Sequence, residues 1–338
     1  MNIHLTGRRR FLAASLAVAG FAVAGLAVPG GMGLFLPASS VVSPLLTTRT
    51  RFLLGTAVTI TACHADAPAA EAAFAEISRL QAIFDRHDAS TPLSLLNRQG
   101  HISGAPPELL LVTNEALRMG NATKHVFDMT VQPLVDYLRL RKNPEGKIRL
   151  DPAEFTEALA LVRPEGVRLS NGSIRLEGSG MGITLDAIAK GYIVDKASDV
   201  LNTAGITNHI VNAGGDIRAR GSKGEAPWVV GITDPSRSGK PVATLSLRDK
   251  GIATSGGYEM FYDRNRKHHH IIDPATGQSP ATLSVSVTAS TAMEADALAT
   301  ALSVLPTGDA LKMIKAMPGR ECLIIDAKGR MLASQGWA

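Results

Sequence analysis

The sequence predicts a single α+β domain in which mixed or antiparallel sheets carry packed helices. Strand and helix patterns follow one another in irregular order, without the regular βαβ spacing of a doubly wound sheet. Asn171-Gly172 and Ala327-Lys328-Gly329 lie between short apolar segments and indicate hairpins, whose strands are antiparallel. Of the 338 residues, 45% are hydrophobic and 19% charged, a composition that can bury a sizeable core.

Hydrophobic periodicity predicts the elements of the N-terminal half in order. Residues 52–61 alternate apolar with small or polar side chains and predict an opening strand. Ala69–Phe84 carries apolar residues at helical spacing after a proline, and Pro107–Ala122 is predicted as a second helix. Asp151–Val162 is predicted as a third helix, with Asp151 as its N-cap and a proline at the first helical position.

The C-terminal half continues with the same two kinds of pattern and adds glycine-rich turns. Its predicted elements are a hairpin within 167–184, a helix over 187–204 that ends at Gly205, several strands within 209–287, helices over 291–305 and 311–317, and a closing hairpin of 322–326 with 330–333.

The first 38 residues predict an export signal. Three consecutive arginines, residues 8–10, precede Phe11-Leu12 and a mildly apolar run that reaches about Val28. An arginine pair followed by Phe-Leu resembles the twin-arginine type of signal, which would place the mature chain, 39–338, in the periplasm. Cleavage is expected between residues 24 and 39. The alternative is an uncleaved membrane anchor, because about 20 apolar residues can span a bilayer; the mature chain itself is expected to have no span.

Charge and aromatic content argue against nucleic acid as a partner. Beyond the signal, 32 basic residues face 30 acidic ones, so no strong electrostatic attraction for phosphate backbones is expected. Aromatic residues make up only 4% of the chain, which disfavours recognition by base stacking. Cys63 and Cys322 are too few for a disulfide framework or a thiolate metal site. Whether they pair with each other is open.

Two glycine-containing segments are candidate ligand contacts. Residues 184–192, Thr-Leu-Asp-Ala-Ile-Ala-Lys-Gly-Tyr, run into a predicted helix, whose start favours an anion. Ordinary helix packing would need the same small residues. Residues 211–217, Val-Asn-Ala-Gly-Gly-Asp-Ile, place a glycine pair after an apolar strand. Such a pair allows close approach of a ligand, or simply forms a turn within a sheet.

Two further segments carry side chains suited to chemistry. His268-His269-His270 precede Asp-Pro-Ala-Thr-Gly, and a single histidine leaving a strand before a tight turn is well placed as a general base. Neighbours on a strand face opposite sides, so three histidines in one metal site are not expected; the alternative is an exposed polar edge. Asp296 and Thr300 share one face of a predicted helix, an oxygen pair suited to Mg²⁺. The alternative is a surface acid beside a small core residue.

Taken together, these segments resemble the ApbE family, the Mg²⁺-dependent FAD:protein FMN transferases. The matching motifs are Ile-Ala-Lys-Gly-Tyr-x-x-Asp (188–195), Asn-x-Gly-Gly-Asp-Ile (212–217), Ala-Thr-Ser-Gly (253–256), His-Ile-Ile-Asp-Pro-x-Thr-Gly (270–277) and Thr-Ala-x-x-Ala-Asp-Ala-x-Ala-Thr-Ala (291–301). Weaker matches are 54–56, 94–97 and 127–134. The resemblance covers about residues 52–336, and five motifs in a fixed order make it specific.

The resemblance implies an activity: transfer of the FMN moiety of FAD to a Ser or Thr hydroxyl of an acceptor protein, with release of AMP. By motif position it makes His270 the catalytic histidine. The implied metal ligands are Asp296, Thr300 and the backbone carbonyl of Ala187. The implied FAD contacts are Leu54, His87, His125, Val126, Phe127, Thr184, Lys190 and Ile272.

The chain departs from the family pattern mainly in the implied flavin pocket. The family usually has Met at the position of Leu54 and an aromatic residue at that of His87. Its Gly-Gly-Ala-Phe-Asp is Lys-His-Val-Phe-Asp here, residues 124–128, and its Asp-Leu-Gly-Gly is Thr-Leu-Asp-Ala, residues 184–187. These changes are similar to those of an exported branch, the NosX-like subgroup associated with nitrous-oxide-reductase maturation.

Three functional interpretations follow from the resemblance. The first is a transferase whose acceptor is a subunit of an exported or membrane electron-transfer complex. The second is an exported FAD-binding protein without transferase activity, which the retained His270, Asp296 and Thr300 argue against. The third makes the chain itself the acceptor. Acceptors carry Ser/Thr-Gly-Ala-Ser/Thr, and the nearest string here, 103–106, ends in proline instead of a hydroxyl residue.

Overall fold

The computed structural model describes residues 46–63, 67–141, 146–236 and 239–337. All of these residues belong to one compact unit, Pro44–Ala338. The predicted signal and its cleavage window lie outside the described residues, so the boundary at residue 38 stays a prediction. Within the described ranges, no helix is both long and apolar enough to cross a membrane.

Every strand pair in the described part of the chain is antiparallel. The largest sheet has eight strands in the order β1-β2-β6-β7-β10-β11-β12-β13, and smaller sheets are formed by β3-β5-β4 and β8-β9. The strands are β1 (Leu46–Leu53), β2 (Thr56–Cys63), β3 (His101–Ser103), β4 (Val167–Ser170), β5 (Ser173–Leu176), β6 (His209–Ala213), β7 (Asp216–Arg220), β8 (Trp228–Thr233), β9 (Pro241–Leu247), β10 (Gly251–Ser255), β11 (Ser284–Ala289), β12 (Glu321–Ile325) and β13 (Met331–Ala333).

Helices cover the large sheet and bury the main core against it. They are α1 (Ala67–Phe84), α2 (Pro92–Gln99), α3 (Pro107–Ala122), α4 (Gln132–Leu140), α5 (Pro152–Ala160), α6 (Ala189–Thr203), α7 (Ala292–Val304) and α8 (Thr307–Lys315). Helix α7 packs against β10, β11 and α6, and α6 packs against α1. Because α7 is covered from several sides, its buried residues extend around most of its circumference. The predicted α+β class with antiparallel sheets is confirmed.

Two glycines allow the start of α7 to lie very close to its neighbours. A Cβ atom added at Gly191 in α6, or at Gly251 in β10, would overlap the backbone of Ala292 in the first turn of α7. Neither glycine has a left-handed φ, so close approach, and not backbone conformation, requires a residue without a side chain here. This packing fixes α6, β10 and α7 relative to one another.

A carboxylate from α6 caps the same end of α7. The side chain of Asp195 accepts hydrogen bonds from the N–H groups of Ala292, at 3.0 Å, and Met293, at 2.9 Å. Thr291 adds a cap of its own, because its Oγ1 accepts the N–H of Glu294 at 3.2 Å. A carboxylate at a helix N-terminus also interacts favourably with the helix dipole. The last residue of the 188–195 motif therefore has a structural role.

Most elements predicted from periodicity are confirmed. The helix over 107–122 has the predicted bounds, and α1, α6 and α7 differ from prediction by two residues or fewer at each end. Asp151 caps α5 as expected, since its Oδ1 accepts the N–H groups of Ala153 and Glu154. The hairpins at 171–172 and 327–329 are present, and the strands expected within 209–287 are β6 to β11.

The predicted single strand over 52–61 is wrong, because the chain reverses within it. Leu54 and Gly55 have φ values of +54° and +70° and connect β1 to β2 as a two-residue turn. Such turns need a left-handed conformation at both central positions, which leucine seldom adopts. Because the apolar alternation continues through the turn, the sequence pattern does not indicate the reversal.

Other differences concern short helices. Helices α2 and α4 were not predicted, although Thr91 caps α2 by accepting the N–H of Ser94. Helix α8 begins at Thr307, earlier than the expected residue 311. The hairpin expected within 167–184 ends at Leu176, and residues 177–188 form no helix or strand. A helix of two turns gives too few periodic positions to separate it from a loop by sequence.

The open question of a disulfide is answered by the sheet order. Cys63 lies in β2 and Cys322 in β12, with β6, β7, β10 and β11 between them. At about 4.8 Å per strand, five steps separate the two cysteines by roughly 24 Å. A disulfide requires Cα atoms within about 7 Å, so both thiols are free.

The Asp195 cap leads to a stability prediction. Replacing Asp195 with Ala leaves two N–H groups of α7 without their partner and should lower the free energy of unfolding by about 2 kcal/mol. Urea denaturation followed by circular dichroism measures the change. Glu157→Ala, an exposed carboxylate on α5, is the control and should stay within about 0.5 kcal/mol of wild type. Equal stability of the two variants would contradict the capping role.

Candidate active site

Residues from four of the five motifs meet at one cleft. The loop before α6, the end of β10, the segment 270–274 and helix α7 all contribute to its walls, which enclose about 830 Å³ including space open to solvent. The lining residues among those predicted as site residues are Val126, Phe127, Thr184, Ala187, Lys190, His270, Ile272, Asp296 and Thr300.

The fifth motif, residues 212–217, does not line the cleft but supplies a charged side chain that pairs with a cleft residue. Gly214 and Gly215, with φ values of +64° and +108°, form the turn between β6 and β7, so the interpretation of the glycine pair as a turn is correct. The turn is fixed by Asn212, whose Oδ1 accepts the N–H of Gly215 at 2.9 Å. It delivers the following residue, Asp216, to a buried position, where its Oδ2 lies 3.2 Å from Nζ of Lys190.

The positive charge of Lys190 acts on two buried carboxylates, Asp216 and Asp296. Asp216 is 1% exposed and Asp296 5% exposed, and Asp296 Oδ2 accepts the N–H of Gly191 at 3.0 Å. Burial would lower the pKa of Lys190, but Asp216 and Asp296 raise it above the ordinary value. Burial raises the pKa of Asp216, and burial together with the charge of Asp216 raises that of Asp296 well above its usual range. The cluster therefore carries one more potential negative charge than positive charge.

The oxygen atoms around Asp296 fit a hard divalent cation. Thr300 lies one turn further along α7, and its Oγ1 is 3.0 Å from Oγ of Ser255 in β10. The excess carboxylate charge of the cluster also favours a cation. Asp216 Oδ2, although it forms an ion pair with Lys190, is buried without a hydrogen bond. Ala187 lines the same cleft. No cluster of three or more His, Cys, Asp or Glu side chains suited to a metal occurs among the described residues. A cation here would need hydroxyl and backbone oxygens as well.

The three histidines have three different environments. The segment is not a strand, since only His269 forms an isolated bridge, with Phe261. His269 is buried, and its Nε2 lies 2.9 Å from the carbonyl oxygen of Pro280, while His268 Nδ1 lies 3.3 Å from Asp263 Oδ2. His270 alone lines the cleft. This separation removes the metal-cluster interpretation within the described residues.

Burial lowers the pKa of His270 below its ordinary value. Its Nδ1 lies 3.5 Å from the carbonyl oxygen of Met260, a long contact that leaves the ring weakly held. A neutral imidazole at pH 7 can accept a proton, so the side chain suits the general-base role.

Three predicted flavin contacts do not line the cleft. Leu54 lies in the β1–β2 turn, where its N–H donates to Gln81 Oε1 at 2.9 Å. His87 and His125 are exposed. His125 lies just after the end of α3 and has a left-handed φ of +62°. Their sequence neighbours, Arg86 and Val126, do line the cleft. The structure thus places the neighbouring segments, but not these three side chains, on the cleft wall, and the predicted flavin contacts stay predictions.

Several cleft residues were not predicted from the sequence. Asp128 accepts the N–H and the hydroxyl of Thr130, at 2.7 and 2.6 Å, and burial raises the pKa of its carboxyl group. Ser255 belongs to the Ala-Thr-Ser-Gly motif, which could have indicated its role. The others that carry polar groups are Arg86, Asp186, Thr254, Glu259 and Tyr262. Asp186 and Thr254 lie in segments that the sequence analysis singled out, whereas no local pattern marks Arg86, Glu259 and Tyr262, because distant segments bring them together.

A half-buried histidine, a buried lysine and a carboxylate–hydroxyl pair in one cleft define an α+β protein with an enzyme-like site. A sequence model of the ApbE family matches residues 54–324, and the chain belongs to the ApbE family.

Curated relatives and solved structures agree with the family. An FAD:protein FMN transferase of Treponema pallidum is 37% identical over 206 residues, which are 55% of this chain and 57% of that protein. One from Vibrio cholerae is 31% identical over 237 residues, 68% of this chain and 66% of that protein. The matched segments thus span less than two thirds of these two relatives.

The structural matches extend further along both chains. The flavin transferase ApbE from Vibrio cholerae has a TM-score of 0.74 at 26% identity, covering 86% of this chain and 98% of that one. The ApbE protein from Thermotoga maritima has a TM-score of 0.78 at 29% identity, covering 86% and 97%. The predicted family fold is therefore confirmed over most of the chain.

The charge cluster leads to a prediction about stability and pH. Lys190→Ala leaves two buried carboxylates without their cation and should lower the free energy of unfolding at pH 8 by about 3 kcal/mol or more. Both carboxyl groups have a raised pKa, so the folded state takes up protons more readily than the unfolded state. The difference in the free energy of unfolding between Lys190→Ala and wild type should therefore become smaller as the pH falls from 8 to 5.

Denaturant unfolding of both proteins at the two pH values measures this difference. Lys196→Ala is the matched control, because Lys196 lies on the same helix and pairs at 3.1 Å with the half-exposed Asp199. Its loss should change stability by less than about 1 kcal/mol. If the loss of stability in Lys190→Ala does not change with pH, the lysine does not balance the charge of these carboxylates.

Proposed function

We propose that the chain is an FAD:protein FMN transferase, which moves the FMN moiety of FAD to a Ser or Thr hydroxyl of an acceptor protein. The observation that carries this proposal is the meeting of His270, Lys190 and the Asp296–Thr300 pair in one cleft of an ApbE-family fold. In the reaction the acceptor oxygen forms a bond to the FMN phosphorus. The bond between that phosphorus and the bridging pyrophosphate oxygen breaks, and AMP leaves.

His270 is proposed as the base for this reaction. An alcohol is a weak nucleophile, and it attacks phosphorus more readily when a base removes its proton. The lowered pKa keeps the His270 ring neutral at physiological pH, and its place in the cleft gives it access to a bound substrate. The proton thus passes from the acceptor hydroxyl to the imidazole.

Asp296, Thr300 and the backbone carbonyl of Ala187 would hold Mg²⁺. A bound Mg²⁺ would neutralise negative charge on the pyrophosphate of FAD. Lys190 supplies a fixed positive charge nearby, which opposes the rise that burial and Asp216 cause in the pKa of Asp296. Thr184, Val126, Phe127 and Ile272 are the cleft residues proposed to contact FAD.

The acceptor is proposed to be a subunit of an exported or membrane electron-transfer complex, and the working compartment the periplasm. The support is the sequence of residues 1–38, with its arginine pair and apolar run. The protein would stay membrane-associated if the signal is not removed. A place in the NosX-like subgroup is proposed on the altered flavin-pocket positions, such as Asp186 in place of glycine.

The alternative is an exported FAD-binding protein without transferase activity. It would use the same cleft but would need neither a base nor a metal pair. Incubation with FAD, Mg²⁺ and candidate exported membrane-complex subunits separates the two, because only a transferase makes the acceptor fluorescent after denaturing electrophoresis.

The role of His270 can be tested directly. His270→Ala should reduce transfer roughly 100-fold or more while FAD still binds. In wild type, the acid limb of kcat/KM should lie below about pH 6.5, because burial lowers the pKa of His270 and extends its neutral form to lower pH. His101→Ala, an exposed histidine of β3, is the control and should transfer normally. Full activity of His270→Ala would remove the base assignment.

The metal assignment has a separate test. Asp296→Asn keeps an oxygen for the Gly191 N–H but removes the carboxylate charge. It should raise the Mg²⁺ concentration needed for half-maximal transfer at least about tenfold. Asp128→Asn, another carboxylate of the cleft, should leave that concentration unchanged. If the two variants respond alike, Asp296 is not the metal ligand.

Export can be tested in cells. Replacing Arg8 and Arg9 with Lys should retain the protein in the cytoplasm and leave its exported acceptor without covalent FMN. Flavin fluorescence of membrane proteins from cells with the variant or the wild type gives the measurement. Unchanged membrane flavinylation with the variant confined to the cytoplasm would argue that the acceptor is cytoplasmic, or that another protein modifies it.

A further inference from the structure

The cleft has a polar corner, formed by Arg86, Asp186 and Tyr262, that the roles above do not use. Arg86 lies two residues beyond the end of α1, and its side chain is only 8% exposed although it carries a charge. Its Nε donates to Asp186 Oδ2 at 2.6 Å. A guanidinium has five N–H groups, and the terminal nitrogens of Arg86 donate to none of the described residues. All three residues line the cleft.

Tyr262 brings a second donor that lacks a partner. The residue is 7% exposed, and its hydroxyl is buried without a hydrogen bond to any described residue. Buried polar groups in folded proteins are rarely left unpaired, so an unpaired hydroxyl on a cleft wall indicates a ligand. Burial raises the pKa of Tyr262 to about 12, which keeps the hydroxyl protonated and able to donate.

The corner shares its cleft with the proposed catalytic histidine, His270, and with apolar walls. Val126, Phe127 and other apolar residues line the remainder of the same cleft. A ligand that combines an apolar body with a polar edge fits these walls.

We propose that Arg86, Asp186 and Tyr262 bind the dione edge of the isoalloxazine ring of FAD, an inference that rests on the proposed function. That edge has two carbonyl acceptors on either side of one N–H donor. The corner offers the complement: donors from Arg86 and Tyr262, and an acceptor in the carboxylate of Asp186.

A phosphate group fits the corner less well than the ring. Asp186 neutralises the charge of Arg86 at 2.6 Å, so the pair has little net attraction for an anion. The half-exposed carboxylate would also repel phosphate oxygens. A neutral carbonyl edge avoids both penalties and satisfies the Tyr262 hydroxyl.

Binding measurements on the purified full chain test this assignment. The probes are FAD, FAD methylated at ring N3, and ADP, which has the phosphates without the ring. Arg86→Gln and Tyr262→Phe should each weaken FAD binding, by roughly tenfold for the arginine, and leave ADP binding unchanged. Wild type should bind FAD roughly tenfold more tightly than N3-methyl FAD, because the methyl group blocks the edge. Arg79→Gln, a surface arginine of α1 paired with Glu76 and Glu108, is the control.

Each of three results would overturn the assignment. They are unchanged FAD affinity in both variants, an equal loss for ADP, which would point to the adenosine-phosphate part of FAD, and equal affinity of wild type for the two flavins. If Arg86→Gln does not fold, Tyr262→Phe and the methylated probe still decide. Wild type that binds FAD but transfers no FMN would refute the proposed function alone. If wild type transfers FMN but neither the two variants nor the methylated flavin change FAD binding, only this inference is refuted.

Discussion

The close packing of α6 against the first turn of α7 is the constraint on which the site depends. Gly191 lets the backbones touch, and Asp195, one turn further along α6, caps α7 through two N–H groups. Because Lys190 lies on α6 and Asp296 on α7, this contact sets the distance between the lysine and the carboxylate. A larger side chain at position 191 would separate the helices and open the site.

Electrostatics gives the packed helices their chemical character. Two buried carboxylates, Asp216 and Asp296, face one lysine, and burial raises the pKa of both acids. Such a cluster is stable as an apoprotein only if part of the negative charge is balanced or protonated. The divalent cation proposed to bind at Asp296 would offset the same imbalance, and its binding would then be coupled to the stability of the fold.

The cleft combines this shared cluster with features of its own. The lysine, the carboxylate–hydroxyl pair and the histidine lie in segments that match the family motifs. Another part of the cleft, with the Arg86–Asp186 pair, lies where the chain departs from them. The departures leave the charged cluster in place, so the proposed transfer chemistry and the proposed flavin contacts are compatible in one chain.

The sequence by itself determined the local elements and the reactive side chains of the motifs. Helical periodicity located α1, α3 and α7, the Asp151 cap followed from its position before a proline, and His270 and the Asp296–Thr300 pair were found by motif. These features depend on residues close together in the chain. Tertiary structure alone decided the rest: the β1–β2 turn hidden in a continuous apolar alternation, the separation of the two cysteines, and the Arg86–Asp186 pair across 100 positions. Sequence patterns report the conformation of neighbouring residues, whereas burial and ion pairs between distant segments exist only once the chain has folded.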